Sequence, residues 1–206
     1  MRVLVTAGNT ATPIDRVRVI TNVFSGRTGA SIALEAHRRG HEVLLVTSHP
    51  ETAGGVPVRP YRTFDDLAAT MAELVPGGWD AVVHAAAVSD YAVAGVFAGG
   101  VEVSAGKVKS SHPELWLKLT PTPKLVDRIR TPWGFTGTLV KFKLEVGVGE
   151  AELLEVAERA RLASGADLMV ANMLETMHDC AYLGPLAGWY DRVPRPELAK
   201  RLVDSL

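Results

Sequence analysis

An α/β protein with a doubly wound, mostly parallel sheet is the fold class this sequence predicts, on three observations. Short β-branched runs alternate along the chain with longer stretches of helical spacing. Most of those runs are apolar throughout, as strands covered on both faces require. Across residues 1–206 there is no internal repeat, low-complexity tract or linker, so one domain is expected, with a flap inserted at about 92–118.

The elements follow in order. "RVLVTA" (2–7), bounded by Gly8, reads as a first strand buried on both faces. A long polar loop comes next, within "TAGNTATPIDRVRVITNVFSGRTG" (6–29). From Thr28, the apolar positions Ala30, Ile32, Ala33 and Ala36 recur at near-helical spacing, and Gly40 is placed to end that helix in a left-handed conformation. "HEVLLVTS" (41–48) is the second strand. "VPVRPYRT" leads to a helix with Phe64, Leu67, Met71 and Leu74 on one face. "DAVVHAAAVSDY" (80–91) is predicted as one buried strand whose end carries small residues and an acid. Residues 92–123 read differently: Gly- and Ser-rich at first, then alternating in "ELWLKLT", then a double Thr-Pro that cannot continue a central strand. A mobile flap followed by a short strand or hairpin is expected there. "KLVDRIR" makes one or two helical turns. In the strand "GTLVKFKLEV" (137–146), Phe142 and Leu144 face one way, Lys143 and Glu145 the other. A helix over 150–164 stopped by Gly165, a strand "ADLMVANM" and a terminal amphipathic helix, "RPELAKRLVDSL", complete a Rossmann-like alternation.

Composition narrows the partners. With 47% hydrophobic and 22% charged residues and a net charge of −1, no global field recruits nucleic acid or an anionic membrane, so an anionic ligand must be held by local groups. The single cysteine, Cys180, has no internal disulfide partner and reads as a small buried apolar residue. No Cys/His cluster at zinc spacing occurs, and no metal site made of the chain's own residues is expected. Met1 leads straight into the first strand, and no apolar run approaches the ~20 residues that span a bilayer. A cytoplasmic protein is the expectation.

Ligands of open parallel sheets bind at the carboxyl ends of strands near the switch in strand order. Polar loops follow the strands ending near Ala7, Ala87, Glu145 and Val170. In the first, Ser25, Gly26 and Gly29 immediately precede the helix, whose free N–H groups suit a phosphate. Asn22 adds an amide, and Arg16 and Arg18 add fixed positive charge. Arg18 suits a two-point clamp on phosphate or carboxylate, although solvated surface charge explains either arginine equally well. Loops of such length without secondary structure are uncommon unless they bind something. In "GKVKS", Lys107 and Lys109 share one side if extended, about 7 Å apart. That spacing suits a triphosphate, and it also suits an edge kept soluble by lysines. An Asp after a strand, as at Asp90, is commonly a turn cap.

Taken together these stretches resemble the phosphopantothenoylcysteine synthetase family. Its pattern T-x-G-G-T-x-E-P-I-D-x-V-R-x-I-S/T-N-x-S-S-G-x-x-G is matched by Thr6, Gly8, Thr10, Pro13, Ile14, Asp15, Val17, Arg18, Ile20, Asn22, Ser25, Gly26 and Gly29. Further matches in family order are "AAAVSDY" (85–91), "KVK" (107–109), "TPTP", "FKLE" (142–145) and "VAN" (170–172), reaching to about residue 176. The resemblance implies a ligase of coenzyme A biosynthesis that activates the carboxylate of 4′-phosphopantothenate with CTP or ATP, releases pyrophosphate, and transfers the acyl group to the amine of cysteine. By the same resemblance Asn22 holds the acyl intermediate's carbonyl and Lys107, on a closing flap, neutralises the triphosphate. Arg18 helps hold the loop or substrate, Asp90 contacts the nucleotide, and Phe142 stacks near the base. Gly8, Ala86, Lys109 and Asn172 are grouped with Ser25, Gly26 and Gly29 as binding residues. Mg²⁺ on the triphosphate, no flavin, no decarboxylase domain upstream and a homodimer with the flap near its interface are implied as well.

The sequence also departs from the family. Asn9 stands where Gly is usual, Thr12 where Glu is, and Phe24 where the first Ser is. The flap is longer than is typical of bacterial forms. CTP-using bacterial forms carry lysines on the helix before "AN", where this chain has Arg159 and Arg161, whereas "FKLE" looks like the ATP-using branch. Two alternatives are a non-catalytic nucleotide-binding homologue and an NAD(P)-dependent reductase. The second lacks a compact G-x-G-x-x-G turn, an acid ending "HEVLLVTS" and a lysine four residues after Tyr91.

Overall fold

The computed structural model describes residues 1–103 and 106–206; Ser104 and Ala105 of the expected flap lie outside the described residues. The first apolar run forms β1 (Arg2–Ala7), followed by a small hairpin of β2 (Ala11–Pro13) and β3 (Val19–Thr21) and then by α1 (Arg27–Arg38). The chain continues through β4 (Glu42–Thr47), β5 (Val58–Pro60), α2 (Phe64–Leu74) and β6 (Ala81–His84). After an inserted sheet of β7 (Tyr91–Ala98), β8 (Val101–Glu102) and β9 (Trp116–Pro121) come α3 (Val126–Arg130), β10 (Thr138–Glu145) and α4 (Glu150–Ser164). The chain ends with β11 (Leu168–Met173), β12 (Cys180–Leu186), β13 (Trp189–Pro194) and α5 (Leu198–Asp204).

The main sheet has eight strands in the order β13-β12-β11-β10-β6-β1-β4-β5. Neighbours from β11 to β5 are parallel, and β12 and β13 add on antiparallel. Strand order reverses between β1 and β6, where adjacent strands send their chains in opposite directions and a crevice opens. Helix α1 lays Ile32, Ala33 and Ala36, and α5 lays Leu198, Leu202 and Val203, against Val3, Val5, Val83 and Val170 on one face. On the other face, Leu67 and Met71 of α2 and Val126 and Ile129 of α3 cover Leu4, Val82 and Leu139. Helix α4 seats Leu153, Leu154 and Ala157 against Met169, Ala171 and Tyr182. Burying both faces is what the continuous apolar strand sequences anticipated. Cys180 is free and buried.

The structure differs from these expectations in several places. The strand expected over 80–91 stops at His84, because the chain then bends toward β1: Ala87 N–H donates to Gly8 O at 2.8 Å and Ser89 N–H to Thr10 Oγ1 at 2.8 Å. The long first loop contains the β2–β3 hairpin, with Pro13 paired to Val19 at its end. The stretch expected as a flap carries an antiparallel sheet in the order β8-β7-β9, whose strands frame the segment that holds Lys107 and Lys109. Gly99 and Gly100, both at positive φ (55° and 78°), make the two-residue turn between β7 and β8 that the right-handed strand twist favours. The Thr-Pro pair ends β9, an edge strand, where a missing N–H is tolerated. Finally, residues 180–194 form a hairpin that no sequence pattern announced. Pro185 argues against a strand there, but a register shift between Leu183 and Leu186 accommodates it. The terminal helix begins only at Leu198, after a 3-10 turn over Arg195–Glu197.

Candidate functional site

The crevice between β1 and β6 is built from backbone pairing. Past β1, Gly8 turns at φ 87°, where a Cβ would stand 2.2 Å from Ser48 Oγ. Thr10 N–H donates to Ala87 O at 3.3 Å, and Asn22 Nδ2 donates to the same carbonyl at 3.1 Å. Asn22, at the foot of the hairpin after β3, is therefore joined to the 85–90 loop. Ala86 donates its N–H to Thr6 Oγ1 at 3.3 Å. Asp90, exposed, ends that loop, its carbonyl accepting Thr122 N–H at 2.9 Å. Among the described residues, no group of three or more His, Cys, Asp or Glu side chains is placed to cage a metal.

Asn9 does not use the left-handed backbone that Asn tolerates: Ala187 is the positive-φ residue other than glycine among the described residues. Its side chain acts instead. Nδ2 donates to Asn22 O at 2.5 Å, while Oδ1 accepts Ser48 Oγ at 3.0 Å and lies 3.3 Å from His49 Nε2. The amide thus braces the backbone of Asn22 from the second strand.

Beside this lies the start of α1. Gly26 precedes it at φ 73°, and a Cβ there would stand 2.3 Å from Gly8 N; a Cβ at Gly29 would meet Ala7 Cβ at 2.7 Å. Both glycines exist so that the helix start can press against the end of β1. The first turn has no side-chain cap and no acidic residue, which leaves N–H groups and the positive end of the helix dipole open to an anion, with half-buried Ser25 adjoining. Sequence reasoning missed the cation that joins them. Arg195 Nη1 donates to Asn172 Oδ1 at 2.8 Å and Nη2 donates to Thr28 Oγ1, and no carboxylate pairs with Arg195 among the described residues. Burial holds its guanidinium below the usual arginine range. Nothing local marks Arg195 in "VPRPEL"; only the β12–β13 hairpin returns it to the rim. Phe142, half-buried, packs against the α1 face. Asn172, on β11 in register with Leu144, donates to Lys143 O at 3.4 Å.

Arg18 is not a free clamp. It pairs with Asp15 at 2.6 Å and donates to Val108 O at 2.8 Å, so the "KVK" segment lies against the hairpin tip while Asn22 occupies its foot. Three residues of strand separate tip from foot, roughly 10 Å. Lys107 and Lys109 are exposed on either side of buried Val108. Arg16 N–H donates to Gly106 O at 3.0 Å.

Under the rim, Thr6, His84 and Lys141 stand in one register across β1, β6 and β10. His84 Nδ1 meets Thr6 Oγ1 at 2.8 Å. Burial first, and then the Lys141 charge, push the imidazole from 6.5 down to about 4. Since the unfolded chain takes the proton first, the contribution of a neutral His84 is intact above about pH 6.5 and is lost as pH falls toward 4. The loss is at most about 3 kcal/mol. Urea unfolding from pH 7 to 4 will show that fall in the wild type and a flatter profile in His84→Gln; equal slopes would refute the assignment.

Grooves elsewhere are shallower in chemistry. One is lined by Arg59, Tyr61 and Arg62, another by Trp79, Asp80 and Asp167, and neither reaches the β1–β6 crevice.

Known proteins resemble this chain in sequence and in fold. The sequence pattern of the DNA/pantothenate metabolism flavoprotein C-terminal domain matches residues 1–181. The chain is 39% identical to the coenzyme A biosynthesis bifunctional protein CoaBC of Thermococcus kodakarensis, covering 100% of this chain and 50% of that protein. Against the protein of the same description from Methanocaldococcus jannaschii it is 30% identical, over 84% of this chain and 40% of the relative. It thus spans about half the length, or less, of these curated relatives. The crystal structure of the DNA/pantothenate metabolism flavoprotein from Streptococcus pneumoniae superposes with a TM-score of 0.87 at 28% identity, covering 100% of this chain and 97% of that one. Among the described residues, no helix is long and apolar enough to cross a membrane.

Proposed function

Since the chain belongs to the family of the DNA/pantothenate metabolism flavoprotein C-terminal domain, we propose that it is a phosphopantothenate–cysteine ligase. The relatives' description as coenzyme A biosynthesis proteins supports the pathway. The observation that carries the reading is the joining of Asn22, through Ala87 O, to the loop bearing Asp90, beside an uncapped α1 start.

In the first step the carboxylate of 4′-phosphopantothenate attacks the α-phosphate of the nucleoside triphosphate, the α–β bridging bond breaks, and pyrophosphate leaves. Such transfer is mostly positioning and charge neutralisation. The open N–H groups of α1, Ser25, Asn172 and Arg195 take the substrate's phosphate. Asp90 and Ala86 meet the nucleotide, and Lys107 and Lys109 neutralise its phosphates. An Mg²⁺ carried on the triphosphate fits the rim, where Asp90 offers one exposed carboxylate and, among the described residues, no preformed cage competes. That ion, when bound, neutralises phosphate oxygens. In the second step the amine of cysteine attacks the acyl carbonyl and the nucleoside monophosphate departs. The Asn22 amide holds the carbonyl oxygen as charge develops on it. Phe142 and the flap sheet keep water from the anhydride. No flavin enters this chemistry.

The reading also takes a second copy of the chain as partner and the cytoplasm as its place. Val23, in the loop after β3, and Tyr91 and Trp116, at the two ends of the small sheet, are 92%, 52% and 64% exposed, apolar side chains that a second copy would cover.

The direct test compares ATP, CTP, GTP and UTP in a pyrophosphate-release assay, with phosphopantothenate and with cysteine present or absent. One triphosphate is expected to support turnover that needs both other substrates. No release with any of the four ends the ligase reading.

A further inference from the structure

The turn between β2 and β3 carries a carboxylate for which the proposed chemistry has no use. Asp15 sits on a surface hairpin, yet its side chain has no exposed area. Its Oδ1 accepts the backbone N–H groups of Val17 and Arg18, each at 2.8 Å. Its Oδ2 accepts Arg18 Nε at 3.1 Å, Arg18 Nη2 at 2.6 Å and, from 93 residues away, Val108 N–H at 3.0 Å. The same Arg18 Nη2 donates to Val108 O at 2.8 Å.

One ion pair therefore holds both backbone polar groups of Val108, the residue between Lys107 and Lys109. With its N–H and its C=O both fixed, Val108 cannot turn about φ or ψ, and the two peptide units it joins are set in place. Its side chain is 3% exposed, while the lysines on either side face solvent. The contacts to Val17 and Arg18 lie within the turn itself, whereas the contact to Val108 reaches out to the lysine segment.

We propose that Asp15, through Arg18, is a latch that docks the lysine segment on the hairpin and so positions Lys107 for the triphosphate. Asp15 is a positioning residue and touches no substrate. The role of Lys107 in this statement rests on the ligase reading above. Arg18 first, then the N–H groups of Val108 and Val17, hold the Asp15 carboxyl well below the usual carboxylate range, so the latch stays charged at working pH.

Asp15→Asn separates the two duties. Its remaining carbonyl oxygen still accepts the turn N–H groups, while an NH₂ faces Val108 N–H and Arg18, donor against donor. Trypsin reads the latch without reference to activity, because the bonds after Lys107 and Lys109 are themselves tryptic sites. Mass spectrometry of native digests is expected to show cleavage there at least about tenfold faster in Asp15→Asn, the factor that one charge-assisted hydrogen bond is worth. Cleavage at other sites and the melting temperature should stay near wild type. Val108→Pro deletes the donor outside the hairpin; because it makes the bond after Lys107 a Lys–Pro bond that trypsin does not cut, it is read after Lys109 alone, where faster cleavage is expected if Asp15→Asn folds poorly. In pyrophosphate release, Asp15→Asn should lower kcat at least tenfold with little change in KM for phosphopantothenate. Wild-type cleavage rates after Lys107 and Lys109 in Asp15→Asn, and after Lys109 in Val108→Pro, would overturn the latch. An inactive wild type would end the ligase reading, and the digest would still decide for or against the docking.

Discussion

Asn22→Ala is expected to abolish amide formation, by roughly 10²–10³-fold, the loss that follows removal of one amide donor from a developing oxyanion. Its signature is more specific than inactivity. If the amide acts on the acyl carbonyl in the second step, the first step survives, and the variant should release pyrophosphate in a single burst close to enzyme concentration and then stall, whether or not cysteine is added. Lys107→Ala should instead suppress the burst itself, since it acts on the triphosphate. Neither change should unfold the protein. Lys107 is exposed, and the Asn22 side chain makes one hydrogen bond, to Ala87 O at 3.1 Å, worth about 1 kcal/mol. Quenched-flow measurement of pyrophosphate and amide together checks both. Normal turnover in the two variants would show that the site is assigned to the wrong residues.

Gly26→Ala should be the most damaging single methyl group near the site. The position has φ 73°, and the new Cβ would stand 2.3 Å from Gly8 N and 2.7 Å from Gly8 Cα, both backbone atoms that cannot swing away. Strain at positive φ and the forced separation of α1 from β1 together should lower stability by about 3 kcal/mol, or roughly 6–12 °C in melting temperature for a chain of this length. Gly40→Ala is the control. Its φ is 82°, but nothing lies within 4 Å of the added Cβ, so only the conformational strain, about 1 kcal/mol, remains. Equal losses in the two variants would mean that close approach is not what Gly26 provides. The same displacement opens the α1 start, so Gly26→Ala should also weaken phosphopantothenate binding, which calorimetry on the folded variant would measure.

The elements legible in the sequence are those whose hydrophobic period repeats over several residues. β1, β4, β10 and β11, and the helices α1, α2 and α4, lie close to where the apolar spacing put them. The elements that were misread are those whose pairing partner is remote or whose local signal is broken. β6 and its following loop share one apolar, small-residue run, and only the pull of Gly8 O and Thr10 Oγ1 ends the strand at His84. β12 and β13 carry two prolines and a glycine, yet pair through a bulge. Gly99 and Gly100 resemble a linker in the sequence; they are a hairpin turn.

The candidate site divides along the same line. Asn22, Ser25, Gly26, Gly29, Asp90, Lys107 and Asn172 could be named as candidates because each lies in a short motif or next to a strand end or helix start. Arg195 and the docking role of Asp15 were not, because a hydrogen bond between residues 93 apart, as from Val108 to Asp15, leaves no trace in either segment. By itself the sequence determined the α/β alternation, the helix-start glycines and the residue types at the rim, since these follow from local sterics and from periodic burial. Only the tertiary structure decided which polar groups meet: that Arg18 is committed to Asp15 and Val108, that Asn9 braces Asn22, and that Arg195 returns to α1. Long-range pairing is chosen by packing the whole chain at once, where the cost of leaving any one buried donor or acceptor unmatched selects a single arrangement.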